Sequence, residues 1–333
     1  MAQPQITDSN YPEFRNWFAE RSQYKAVLDA EARHLILESI IQAVQRFFLD
    51  PAAGANLTDA FRKNVYTGAY DMITDGNSLA KAITSDLQSF SGDKHFRCLF
   101  GIPPDEPSAK DQVARLQKLH YGFGKVEVLP ENIATIEIRG FVPVHWEGVR
   151  QKVDEIMSSI AGADALILDL RANQGGDPKT VALVASYLLG NEPMVWLKIV
   201  QPSNGLVEDV LTTPPDDQKR FGINKPIFIV TSSETISGGE DLTYGFQALR
   251  RAKVIGEKTA GAANLPRACP LNGTFVLFVP HRYPVHPITG SNWEGSGVIP
   301  EVEAAAVDGL DRACNLATET LGLHQRSTSK ATG

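Results

Sequence analysis

The chain is poor in the features that mark several classes of protein. It has three cysteines among 333 residues, Cys98, Cys269 and Cys314, and their spacing fits neither a metal site nor a disulfide-rich scaffold. The longest apolar runs, such as 165–168 and 227–230, are far shorter than the roughly 20 residues that cross a bilayer. Acidic residues outnumber basic ones by 39 to 32, and the net charge of −7 argues against non-specific binding to nucleic acid or to an anionic membrane.

Other signatures are missing as well. The opening residues, MAQPQITDSNYPEF, have neither the basic start nor the apolar stretch of a signal peptide, so we expect a cytoplasmic protein. There is no Walker loop, dinucleotide fingerprint, H-E-x-x-H motif or paired C-x-x-C motif. The sequence therefore implies no cofactor and no metal, and it leaves the oligomeric state open.

What is present first is a helical pattern in residues 1–100. Apolar residues recur there at helical spacing in two stripes, which predicts a small N-terminal helical domain. The stripes are Leu37, Ile40, Ile41, Val44 and Phe48, and then Leu79, Ile83 and Leu87. Asp50-Pro51 is expected to end the first of these helices. Residues 101–110 are rich in proline and charge, and we predict a linker over 101–130.

From residue 131 the pattern alternates between strands and helices. Such alternation, with continuously apolar strands, predicts βα units around a largely parallel sheet that is buried on both faces. The predicted strands are 133–141, 165–170, 227–231, 254–255 and 274–279, and the predicted helices are 146–160, 178–189, 240–249 and 310–321. We assign 131–325 to this second domain and 326–333 to a disordered tail.

The first turn whose residues could take part in catalysis runs from Asp169 to Pro178, with the sequence DLRANQGGDP. A buried strand leads into it, and Asp177-Pro178 is a good start for the following helix. The paired glycines Gly175 and Gly176 allow a close approach to the backbone, whose N–H groups suit a developing oxyanion. A tight turn that merely needs glycine explains the same residues equally well.

The second turn, TSSETISGGE, runs from Thr231 to Glu240 and also joins an apolar strand to a helix. It presents Ser237 at the carboxyl end of the sheet, where open α/β folds place their sites. Gly238 gives room and a second backbone donor. The turn is not a G-x-S-x-G elbow, and taken alone Ser237 fits a helix N-cap better than a nucleophile.

The two turns together, followed by AKVIGEKTAG at 252–261, resemble the tail-specific protease (C-terminal processing peptidase) family. The NWEGSGVIPE segment at 292–301 and SGDKH at 91–95 resemble its interphotoreceptor retinoid-binding protein-like branch, which has no inserted PDZ domain. The resemblance covers roughly residues 30–305. It implies a ClpP/crotonase-like sheet-and-helix domain after a small helical domain, with Ser237 as nucleophile and Gly238 and Gly175 or Gly176 as oxyanion donors.

The resemblance leaves the general base open. Many family members carry a lysine about 25 residues after the serine, but Ala262 stands there, and Lys258 is a weak substitute. Tricorn-like relatives place a histidine where Glu137 stands, and a glutamate where Glu294 stands. A neutral imidazole accepts a proton near pH 7, so His95 is our preferred base, oriented by Asp93 or Glu294.

Three other histidines, His145, His281 and His286, are further candidates for the base. A histidine that only braces the fold is an equally good account of His95.

The sequence thus predicts a serine hydrolase that cleaves peptides through an acyl-enzyme. Two alternatives stay open. One is an intracellular enzyme that uses the same oxyanion site on a small metabolite. The other is a non-catalytic carrier of a retinoid or fatty acid, which would need a large apolar pocket.

Overall fold

The computed structural model describes residues 28–101, 109–216, 219–271 and 275–322. The predicted tail at 326–333 and most of the proline-rich segment 101–110 lie outside these residues. The described chain forms two compact units. The first holds 28–101, 199–208 and most of 262–284, and the second holds 109–198, most of 209–261 and 285–322. Within the described residues, no helix has the length and apolar character needed to cross a membrane.

The described part of the first unit begins with three helices, and the two apolar stripes predict the first and the third of them. They are α1 (Ala30–Phe47), α2 (Pro51–Tyr66) and α3 (Gly76–Ser91). The stripe residues of α1 and α3 are buried in one apolar core. Asp50 and Pro51 do more than end α1: the Asp50 side chain accepts hydrogen bonds from the N–H groups of Ala52 and Ala53, and Pro51 is the first residue of α2.

A small sheet completes the first unit. Its strands are β1 (Arg97–Phe100), β9 (Leu265–Pro270), β10 (Phe275–Val285), β5 (Val195–Gln201) and β6 (Leu206–Leu211). Of the last two strands, only the residues within 199–208 belong to the first unit. The strand order is β1-β10-β5-β6, and β9 pairs with β10. Only the start of β10 was predicted, because β9 and β10 carry prolines that obscure the alternation of a strand.

The second unit is the predicted βα domain. Its sheet has the order β11-β8-β7-β4-β3-β2, and only the β2–β3 pair is antiparallel. The strands are β2 (Phe123–Val128), β3 (Ile133–Ile138), β4 (Ala165–Asp169), β7 (Ile227–Thr231), β8 (Lys253–Gly256) and β11 (Val302–Glu303). The helices are α4 (Ala109–Lys118), α5 (Val149–Ser159), α6 (Pro178–Ser186), α7 (Gly238–Ala248) and α8 (Gly309–Thr320).

The boundaries differ from the sequence expectation in two respects. Residues 199–208 and most of 262–284, which we expected in the second domain, belong to the first unit. The region 101–130, predicted as a linker, contains α4 and β2, and β2 extends the large sheet as an antiparallel edge strand. The central strands were easier to predict, because residues 165–168 of β4 and all of β7 are buried.

Candidate active site

The topology of the second unit brings the two turns together. Strands β4 and β7 are parallel neighbours, with Leu166 opposite Ile227 and Asp169 opposite Val230. The turns that follow them therefore leave the same edge of the sheet. A backbone hydrogen bond of 3.2 Å from the N–H of Ile236 to the carbonyl of Asn173 ties one turn directly to the other.

Asn173 shapes the first turn. Its fully buried side chain accepts a hydrogen bond from the N–H of Gly175 at 2.8 Å and donates one to the carbonyl of Ile138 at 2.9 Å. The Gly175 N–H is thus already used inside the protein. This corrects the expectation that either glycine of the pair is free to donate to an oxyanion.

Glycine is required at positions 175 and 176 because neighbouring atoms of Ser237 and Phe141 approach them closely. Both glycines have positive φ angles, +84° and +137°. The backbone of Phe141 runs beside the pair: its N–H donates to Gly175 and its carbonyl accepts from Asp177. A Cβ on Gly176 would overlap the Phe141 carbonyl, and a Cβ on Gly175 would lie 2.6 Å from the Cβ of Ser237.

Ser237 is the residue at the tip of the second turn. Its backbone has φ +56° and ψ −114°, a region that residues other than glycine rarely adopt. Helix α7 begins at the next residue, so Ser237 lies at the positive end of the helix dipole. A strained serine between a strand and a helix is the arrangement that exposes nucleophiles in α/β-hydrolases, although the sequence lacks their motif.

Two backbone donors border this serine. In the described chain, neither the N–H of Gly176 nor that of Gly238 has a hydrogen-bond acceptor. A Cβ on Gly238 would lie 3.0 Å from the nitrogen of Gly176, which places the two glycine backbones side by side. The arrangement can hold a negatively charged oxygen next to Ser237.

Glu240, which the sequence analysis did not single out, holds the serine turn through hydrogen bonds to its side chain. The side chain of Glu240 is fully buried, and its Oε2 accepts the N–H of Ser237 at 2.9 Å. Its Oε1 accepts the hydroxyl of Thr259 and the N–H of Gly261, both at 2.6 Å. The spacing of Ser237 and Glu240, three residues apart at a helix start, is the signal that could have revealed this contact.

Glu294 lies in the same unit, in the segment that follows Trp293. The N–H of Glu294 donates to the side chain of Asn292, and the next residue, Gly295, donates its N–H to the carbonyl of Gly261. The segment that carries Glu294 is thereby attached to the loop that Glu240 holds.

The candidate base His95 belongs to the first unit. Its Nδ1 lies 3.7 Å from Oδ1 of Asp93, and its own N–H donates to the same oxygen. Asp93 is buried, and its other oxygen accepts a hydrogen bond from Asn264 at 2.8 Å. Asp93 therefore stands beside His95, although 3.7 Å is too long for a hydrogen bond to Nδ1. Its role as the orienting carboxylate stays a prediction. The pairing of His95 with Ser237 stays a prediction.

The residues at and near the other base positions of the family have surroundings of their own. Lys258 lines a surface groove with Ile299, Pro300 and Glu303, and Ser237 is not among the described residues that line it. Glu137, at the tricorn-type position, accepts two hydrogen bonds from Arg139. Ala262, at the position of the family lysine, is fully buried.

The three further candidate histidines contact backbone carbonyls or aromatic rings. His281 lies 3.0 Å from the carbonyl of Leu265 through Nδ1, and burial lowers its pKa. Burial also lowers the pKa of His286, whose ring meets those of Trp196 and Tyr244. His145 packs edge-on against Trp146.

Comparison with known proteins agrees with this geometry. Residues 132–304 match peptidase family S41, and residues 25–121 match the N-terminal domain of peptidase S41 in eukaryotic IRBP. The first match spans more than half of the chain, and the chain belongs to peptidase family S41. The resemblance to tail-specific proteases is confirmed.

One relative is the tail-specific protease of Haemophilus influenzae, which is 26% identical over 175 residues. That alignment covers 52% of this chain but only 23% of the relative.

Solved structures share the fold. A lipoprotein from Streptococcus agalactiae has 17% identity and a TM-score of 0.55, with 90% of this chain and 99% of that chain covered. The tricorn protease has 14% identity and a TM-score of 0.57, with 87% of this chain and 37% of that chain covered. The predicted combination of a helical N-terminal region with an α/β domain is confirmed, and the ClpP/crotonase relationship stays a prediction.

Proposed function

We propose that this chain is a serine peptidase that cleaves peptide bonds through an acyl-enzyme on Ser237. The observation that carries the proposal is the strained Ser237 beside two backbone N–H groups, of Gly176 and Gly238, that have no acceptor in the described chain. Membership of peptidase family S41 favours a peptide substrate over the small metabolite and the carried lipid.

The chemistry follows from these groups. The Oγ of Ser237 attacks the carbonyl carbon of the scissile bond and gives its proton to a base. The carbonyl oxygen becomes an oxyanion, which the N–H groups of Gly176 and Gly238 stabilise. The C–N bond then breaks, the leaving amine takes the proton from the base, and water hydrolyses the ester by the same steps in reverse.

We assign the base to His95. Asp93 supports this role, because a carboxylate 3.7 Å from Nδ1 stabilises the protonated imidazole by its charge and can orient the ring once the two atoms close to hydrogen-bond distance. Glu294 is the alternative orienting group. In this proposal the oxyanion accepts hydrogen bonds from the N–H groups of Gly176 and Gly238. Gly175 contributes only the space that Ser237 needs.

Intact-mass labelling with a serine-reactive organophosphonate tests the proposal. The wild type is expected to take up one adduct, Ser237→Ala none, and His95→Gln an adduct at a rate at least about 100-fold lower. Ser233→Ala is the matched control, because Ser233 is an exposed serine of the same turn. A folded wild type that stays unlabelled, or an adduct that persists in Ser237→Ala, contradicts the proposal.

A peptide library then tests the substrate class. Cleavage that depends on both Ser237 and His95 supports peptidase activity. Labelling without cleavage of any peptide in the library contradicts it and favours a hydrolase of small molecules.

A further inference from the structure

The contact that holds the serine turn is a buried carboxylate that accepts three hydrogen bonds. The three groups known to meet Glu240, the N–H of Ser237, the hydroxyl of Thr259 and the N–H of Gly261, each offer a hydrogen. An ionised carboxylate accepts all three without further requirement, whereas a protonated one would add an O–H group that needs a buried acceptor of its own. Charge-assisted hydrogen bonds of this kind are short and strong, which offsets the cost of burying the charge.

These bonds continue beyond Glu240. The Oγ1 of Thr259 also accepts the N–H of Val298 at 2.7 Å, and the N–H of Thr259 donates to the carbonyl of Val298 at 3.1 Å. The carbonyl of Gly261 accepts the N–H of Gly295 at 3.0 Å. Glu240 therefore joins the serine turn to the loop 259–261, and through it to the segment 295–298 that directly follows Glu294.

The backbone of Ser237 needs such a restraint. A serine with φ +56° is less stable by about 1–3 kcal/mol than in an ordinary conformation, so the turn relaxes unless its surroundings hold it. The N–H of Ser237 belongs to the strained residue itself, and Oε2 of Glu240 accepts it at 2.9 Å.

We propose that Glu240 is a positioning residue for Ser237: its ionised side chain keeps the serine in its strained conformation and couples it to the Thr259–Gly261 loop. Glu240 does not touch the reacting atoms in this account. The role in catalysis rests on the proposed function of Ser237, whereas the restraint on the turn can be measured without it.

The first test is Glu240→Gln, which keeps the shape of the side chain. A glutamine that still accepts from Thr259 and Gly261 must turn its NH₂ group toward the N–H of Ser237, so donor meets donor. We expect the rate of organophosphonate labelling to fall at least about 30-fold, and kcat on a cleaved peptide to fall more than KM rises. Glu257→Gln is the matched control, because that half-buried carboxylate accepts the N–H groups of Ser233 and Ala306 and no hydrogen bond from Ser237 is found on it in the described chain.

The second test uses Thr259, which keeps the proposal testable if Glu240→Gln does not fold. Thr259→Val removes the hydroxyl at nearly constant volume, and labelling is expected to slow about 10-fold. Thr259→Ser restores the hydroxyl and is expected to return the rate to within about threefold of wild type. Equal rates in the valine and serine variants would contradict the proposal.

Amide hydrogen exchange separates the restraint from the chemistry. Exchange at Ser237 and Gly261 is expected to accelerate at least about 10-fold in Glu240→Gln, and to stay unchanged in Glu257→Gln. If wild type exchanges slowly at these amides but is never labelled, the proposed function fails and the restraint stands. If exchange and labelling in folded Glu240→Gln both match wild type, the positioning role is wrong.

Discussion

The turns after β4 and β7 leave the same sheet edge but are held in different ways. The first relieves its strain with glycine, since both of its positive φ angles belong to Gly175 and Gly176, and a neutral amide, Asn173, braces it. The second keeps its strain on a serine, and a buried carboxylate, Glu240, braces it. The strained backbone thus belongs to Ser237, in the turn that carries the proposed reactive group. Functional sites are where such destabilising strain is expected to persist.

The largest loss of stability is expected when a side chain is added at Gly176 in the first turn. Gly176→Ala forces a Cβ into the Phe141 carbonyl at a φ of +137°, so we expect the free energy of unfolding to fall by about 3–4 kcal/mol. Denaturant unfolding measures the loss. Gly190→Ala is the control, since a Cβ there meets nothing within 4 Å, and it should be neutral or slightly stabilising. Equal effects at the two positions would show that the close approach is unimportant.

The brace of the first turn comes next. Asn173→Ala leaves the N–H of Gly175 and the carbonyl of Ile138 without their partner, and each buried orphan costs about 1–3 kcal/mol. We expect a loss of about 2–3 kcal/mol in denaturant unfolding. The exposed Asn77→Ala should stay within about 0.5 kcal/mol of wild type. A loss below 1 kcal/mol for Asn173→Ala would mean that the turn holds itself.

A pH effect follows from the residue after Glu240. Asp241 is buried, accepts the indole N–H of Trp196 at 3.0 Å, and its other oxygen has no partner in the described chain. Burial raises the pKa of Asp241 to about 8. An unfolded aspartate ionises near pH 3.9, so between about pH 4 and 8 the folded state keeps a proton that the unfolded state has lost. Stability should therefore fall with rising pH, by up to about 1.4 kcal/mol per unit.

The window for this measurement is set by His281 and His286. Burial lowers the pKa of both, so their contributions have the opposite sign and are confined to pH values below about 6.5. Unfolding between pH 6.5 and 8 therefore reports on Asp241. Asp241→Asn keeps an acceptor for Trp196 and should flatten the slope; an unchanged slope in that variant would assign the effect to another group.

The smallest effect concerns the strain on Ser237 itself. Ser237→Gly removes the Cβ that makes φ +56° unfavourable, whereas Ser237→Ala keeps it. We expect the glycine variant to be more stable than the alanine variant by about 1 kcal/mol, with both unlabelled by the organophosphonate. A glycine variant that is less stable than alanine would contradict strain at this residue.

The contrast between the turns also separates what the sequence could predict. Both turns were predictable, because an apolar strand, a glycine pair and a helix start are local patterns that need no tertiary information. The parallel pairing of β3, β4, β7 and β8 followed from the same alternation, but the order of the strands in the sheet did not. The apolar stripes of α1 and α3 likewise predicted their buried faces.

The braces were only partly predictable. The spacing of Ser237 and Glu240 is a local signal for their contact, but other partners of the two braces, Ile138 for Asn173 and Thr259 for Glu240, lie far along the chain. Those distant contacts depend on how the strands and loops assemble rather than on local spacing. The small sheet was largely missed, because Pro266 and Pro270 stand in β9 and Pro280 and Pro284 in β10, where they oppose a strand prediction. The edge strand β2 was hidden for another reason: its burial alternates only weakly.

A structure of the organophosphonate adduct tests the central claim most directly. The claim is that a strained Ser237 presents its oxygen beside the N–H groups of Gly176 and Gly238. We expect phosphorus on Oγ of Ser237 and one phosphoryl oxygen about 2.7–3.1 Å from both nitrogens, with φ of Ser237 still positive. An adduct on Ser237 whose phosphoryl oxygens face solvent and meet neither nitrogen would contradict the account.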